Sequence, residues 1–71
     1  MKFYLNATTS IERYAEQLEK AGATKSAHAY YKYEIELSTL EDLTSFIKSV
    51  GGSVVLDTDE PSIEIYDDYR E

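Results

Sequence analysis

Residues 30–41 read Tyr30-Tyr31-Lys32-Tyr33-Glu34-Ile35-Glu36-Leu37-Ser38-Thr39-Leu40-Glu41, and the apolar period changes within them. Up to Leu37 the residues alternate: Tyr31, Tyr33, Ile35 and Leu37 fall on one side, Tyr30, Lys32, Glu34 and Glu36 on the other. A period of two with β-branched and aromatic residues predicts a strand with one wet face. From there Leu40, Leu43, Ile47 and Val50 recur every three or four residues, the stripe of an amphipathic helix. Ser38-Thr39-Leu40-Glu41 fits a capping box, in which the first hydroxyl caps a backbone donor and the glutamate reaches back; Gly51-Gly52 ends the helix. A strand running into a capped helix predicts an α+β chain.

The flanks extend the pattern. Ser53-Val54-Val55-Leu56 is a short apolar strand, Asp57-Thr58-Asp59-Glu60-Pro61 a turn, and Ser62-Ile63-Glu64-Ile65-Tyr66 alternates again. At the other end Lys2-Phe3-Tyr4-Leu5-Asn6 alternates with Phe3 and Leu5 inward. Thr9-Ser10-Ile11-Glu12 is another capping box, ahead of a helical stripe of Ile11, Tyr14, Ala15, Leu18 and Ala21 that Gly22 stops. The expected order is β-α-β-α-β-β: a single domain over residues 1–71, a two-layer sandwich with two helices on one face of a four-stranded sheet. Tyr14, Tyr31 and Tyr33 are expected in the core with their hydroxyls at its rim. The uncovered face would carry Lys2, Tyr4, Asn6, Tyr30, Lys32, Glu34, Glu36, Glu64, Tyr66 and Asp68, mixing tyrosines with carboxylates.

The chain has 71 residues and no cysteine, so neither a disulfide nor a cysteine zinc site can staple it. Its opening lacks the apolar stretch of a signal peptide, and no run approaches the roughly 18 apolar residues of a membrane span. A chain beginning at Met1 and a cytoplasmic location, the bacterial host's if phage-encoded, are the expectations. Fourteen acids oppose seven bases for a net charge of −7. Residues 1–56 hold seven acids and six bases, whereas residues 57–71 hold seven acids and only Arg70. Such a chain repels nucleic acid and anionic membranes and attracts basic surfaces.

Catalysis needs a nucleophile, base or metal held in a cleft, and the chain offers one histidine and no catalytic motif. A lone His28 reads as a surface or strand-edge residue, so the chain is expected not to be an enzyme. Asp57-Thr58-Asp59-Glu60-Pro61-Ser62 starts like a calcium loop, but has Ser62 where a glycine must turn and Asp68 where a bidentate glutamate must close. No metal and no cofactor are expected.

Seven of the nine aromatics are tyrosine, which offers large contact area at low entropy cost. Tyr30, Tyr66 and Tyr69 fall among acids, and carboxylates two apart on a strand stand about 6.6 Å apart on one face. A regular negative array of this kind can stand in for a phosphate backbone in a basic groove, releasing counterions as nucleic acid would. The candidate binding surface is Glu34, Glu36, Asp57, Asp59, Glu60, Glu64, Tyr66, Asp67, Asp68 and Tyr69.

In size, acidity, lack of cysteine and α+β pattern, the whole chain resembles the small inhibitors that phages and mobile elements use against host defence, particularly anti-CRISPR proteins that resemble nucleic acid in charge. The resemblance implies steric and electrostatic occupation of a nucleic-acid-binding surface on a Cas effector, without cofactor or turnover; no functional residue carries over by position. The alternative is a structural or regulatory interaction module, with the open face or an edge strand making a homodimer or docking a cognate protein.

Overall fold

The computed structural model describes residues 1–8, 10–57 and 59–66. Strand β1 (Lys2–Ala7) leads through a 3₁₀ turn (Ile11–Tyr14) into α1 (Ala15–Lys20). Then come β2 (Thr24–Lys25), β3 (Tyr33–Glu36), α2 (Leu40–Val50), β4 (Gly52–Val55) and β5 (Ser62–Ile65). The α+β class stands, but the sheet has five strands, in the order β2-β3-β1-β5-β4.

One device is used twice. Strand β2 runs parallel to β1 after the α1 crossover, and β3 returns antiparallel into the gap between them. Strand β4 runs parallel to β3 after the α2 crossover, and β5 returns to fill the gap beside β1. The result is a mixed sheet with β1 at its centre, antiparallel to β3 and parallel to β5.

The core lies on one face. Phe3, Leu5 and Ala7 of β1, Tyr33 and Ile35 of β3, and Ile63 and Ile65 of β5 pack with Ile11, Leu18 and Phe46 from the helical layer. Leu5, Leu18, Ile63 and Ile65 are fully buried. Burying a side chain of that size stabilises by roughly 1.5–3 kcal/mol, so this layer holds the sheet and helices together.

Five expectations need correction. The two residues of β2 show no alternation, so the fifth strand left no trace in the hydrophobic pattern. Strand β3 begins at Tyr33 rather than Tyr30, because the N–H groups of Tyr30 and Tyr31 point to His28 instead of a neighbouring strand. Tyr31 therefore lies outside the core. The α2 cap is Thr39, whose hydroxyl accepts from the Asp42 N–H at 3.0 Å; the cap sits one residue later than the expected Ser38. Of the expected stripe Leu43, Ile47 and Val50 do pack against the core, but Leu40 is exposed, and Phe46, outside the stripe, is buried. At the first helix Thr9 lies outside the described residues. Ser10 stands at the N-cap, and the Glu12 carboxylate takes the Ser10 hydroxyl at 2.6 Å and the Lys32 ammonium.

The two glycines after α2 do different work. Gly51 caps the helix at φ 73°, donating its N–H to the Ile47 carbonyl at 2.8 Å. Gly52 belongs to β4, where a Cβ would stand 2.9 Å from the Glu64 carbonyl oxygen of the paired strand.

Candidate functional site: the open sheet face and the His28 loop

Directly paired residues share a face, so the registers map the side of the sheet away from the helices. One row runs Thr24, Glu34, Tyr4, Ser62 and Val55; the next runs Asn6, Glu64 and Ser53; a third holds Glu36 and Lys2. This face is not left bare. The β2–β3 hairpin has a long loop, closed where Ser26 N–H donates to the Lys32 carbonyl at 2.9 Å, and the loop folds back over Tyr4.

His28 organises that loop. Its own N–H donates to Ser26 Oγ at 3.0 Å. Its Nδ1 accepts the Tyr30 N–H at 3.0 Å and the Tyr31 N–H at 3.4 Å, so the ring proton sits on Nε2. Nε2 lies 2.6 Å from Glu60 Oε2 and donates to that carboxylate, tying the β2–β3 loop to the β4–β5 loop. Both ring nitrogens are thus engaged.

The rings complete the cluster. Tyr4 stacks on Tyr31 with centroids 5.2 Å apart and 15° between planes, and the His28 ring lies 4.8 Å from Tyr4. Tyr30 meets Tyr31 edge-on at 4.8 Å and is otherwise exposed. Lys2 Nζ stands 6.0 Å over the Tyr4 ring, at the reach of a cation–π contact. A cleft of about 340 Å³ lies beside the loop, lined by Glu12, Lys25, Ser26, His28, Tyr31 and Lys32. There Lys32 and Ser10 hold the Glu12 carboxyl down at about 2, from its ordinary 4.5, and Glu12 raises Lys32 in turn.

The candidate residues differ in their surroundings. Glu34, Glu36 and Glu60 have partners: Lys2 Nζ at 3.6 Å, the Met1 amino group at 2.7 Å, and His28. Asp57 and Asp59 lie in the β4–β5 loop, where the Asp59 N–H donates to Asp57 Oδ1 at 3.2 Å. Glu64 is half-buried on β5 and forms no ion pair among the described residues. Tyr66, just past β5, is 51% exposed. Asp67, Asp68 and Tyr69 lie outside the described residues. Sequence reasoning missed His28, Tyr4 and Tyr31 as one cluster; the only signal was Ser26 two residues before a lone histidine in a tyrosine-rich stretch. No group of three or more His, Asp or Glu gathers to hold a metal ion among the described residues.

The chain matches no family model, and comparison with curated proteins and with solved structures finds no match.

Proposed function

We propose that the chain is a non-catalytic acidic inhibitor of the anti-CRISPR type, which occupies a basic nucleic-acid-binding surface of a Cas effector and blocks target binding. The observation that supports this reading is the open sheet face, where Glu34 and Glu64 flank the Tyr4–Tyr31 stack and the β4–β5 loop adds Asp57, Asp59 and Glu60. Carboxylates beside tyrosine rings suit lysine and arginine side chains, which ion-pair with the former and stack on the latter. Lys2 already does both within this molecule, reaching Glu34 and lying over Tyr4. The ion pairs at Glu34, Glu36 and Glu60 leave Glu64 and Asp59 as candidate acids with no ion pair among the described residues.

The test is competition. Guide-loaded Cas effectors are incubated with the protein and titrated with labelled target DNA. The reading expects dose-dependent loss of DNA binding, and at least tenfold weaker inhibition by Asp59→Lys/Glu64→Lys with an unchanged circular dichroism spectrum. Undiminished DNA binding with every effector at excess protein contradicts it.

A further inference from the structure

The sheet has two edges, and they differ. Strand β2 offers only two residues before the chain enters the His28 loop. Strand β4 offers four, and the stretch Gly51-Gly52-Ser53-Val54-Val55-Leu56 contains no charge and no proline. Natural sheets guard their edges with lysine, proline, bulges or a covering element, because unpaired backbone groups there template another strand. None of these residues stands in β4, and among the described residues no strand covers its outer side. Val55 and Leu56 are 49% and 70% exposed beside it.

We propose that the outer edge of β4 accepts an extended, lysine- or arginine-bearing segment of the protein partner as an added strand. The proposal rests on the basic-partner reading above and names the contact through which it is made. Charge decides the occupant. Glu64, one strand in from the edge, lies on the open face with no cationic partner among the described residues, and its neighbour toward the edge is Ser53. So short a side chain leaves the carboxylate reachable from beyond β4. Two strand spacings, about 10 Å, separate Glu64 from a residue added opposite Ser53, a distance that glutamate and an incoming lysine or arginine close between them. Asp57 and Asp59 continue the acidic border past the end of the strand. A second copy of this chain fits worse: pairing β4 with β4 about a two-fold axis would set one Glu64 toward the other across two small residues, with no cation between, and join two chains each of charge −7. In the added-strand mode, backbone hydrogen bonds carry affinity and alternate side chains carry selectivity.

The experiment uses two labelled decapeptides, each alternating lysine with threonine or valine. The second is methylated on successive backbone nitrogens, which keeps every charge but removes both hydrogen-bonding edges. The proposal expects the full-length protein to bind the unmethylated peptide at least tenfold more tightly, with slowed amide exchange at residues 52–55. Ser53→Lys, which guards the edge and neutralises Glu64, should abolish that preference; Ser53→Thr, a good strand former, should keep it. Equal binding of both peptides overturns the edge proposal while leaving the basic-partner reading intact. Binding of neither overturns it as well, and the DNA-competition assay then judges the broader reading separately. A dimer by sedimentation that protects residues 52–55 without peptide assigns the edge to a second copy and also overturns it.

Discussion

Nε2 of His28 lies 2.6 Å from Oε2 of Glu60, a contact that bridges 32 residues and fastens the two loops flanking the open sheet face. The same ring accepts the N–H groups of Tyr30 and Tyr31 through Nδ1, so one side chain shapes its own loop and docks it. Replacing His28 with alanine should release both backbone donors to water and unstack Tyr31 from Tyr4. A net hydrogen bond contributes about 0.5–1.5 kcal/mol, so the expected loss is about 1–2 kcal/mol with faster amide exchange at Tyr30 and Tyr31. A double-mutant cycle with Glu60→Gln should give a coupling of about 0.5–1 kcal/mol, the scale of a partly exposed pair. Unchanged exchange at those amides would deny His28 this role.

The phase of α2 is open to a direct test. Phe46 is buried and Leu40 is 77% exposed. Phe46→Ala should cost about 3–5 kcal/mol by urea unfolding, whereas Leu40→Ala should stay within about 0.5 kcal/mol. Comparable losses at both positions would place Leu40 in the core beside Phe46.

The cap makes a matching prediction. The Thr39 hydroxyl accepts the Asp42 N–H, and among the described residues Ser38 makes no side-chain hydrogen bond to the helix. Thr39→Ala should cost about 1 kcal/mol and Ser38→Ala close to nothing, read from chemical denaturation. The reverse ranking would move the helix start back by one residue.

These two corrections show what the sequence carried and what it did not. Periodicity located β1, β3, β5 and both helices, because burial on one face imposes a period on the residues, and β4 was legible as a short apolar run. It could not see β2, since Thr24-Lys25 is too short to have a period. Nor could it start β3 at Tyr33: Tyr30-Tyr31-Lys32 carries the same alternation, and only the acceptor on His28 diverts the N–H groups of Tyr30 and Tyr31. Ser38 and Thr39 are both good caps, and spacing alone does not choose between them. Glu34 and Glu36 were legible from strand alternation and the later acids from a composition shift after residue 56, but the partners Lys2, Met1 and His28 come from distant segments that only the fold brings near.

Acid should weaken the contact between Glu12 and Lys32. Glu12 titrates at about 2 in the folded chain against an ordinary 4.5, because Lys32 and Ser10 favour its carboxylate. A lowered folded value means that the pair stabilises fully above the ordinary value and is lost as pH falls from about 4.5 to about 2. The raised Lys32 value acts in the opposite range, with stabilisation present at neutral pH and lost only in strong alkali. The melting temperature of the wild type should therefore fall more steeply between pH 5 and pH 2 than that of Glu12→Gln. Both side chains are solvent-exposed, so the difference should be small and should shrink in salt. Parallel curves for the two proteins would contradict the pairing.

The most direct measurement of partner choice is retention from a bacterial lysate on immobilised wild-type protein, eluted with a rising salt gradient beside an Asp59→Lys/Glu64→Lys column. Binding through carboxylates to a basic groove predicts nucleic-acid-binding proteins, Cas effectors among them, released by moderate salt from the wild type and not retained by the variant. Recovery of only the chain itself, or of a partner that survives high salt on both columns, would contradict it.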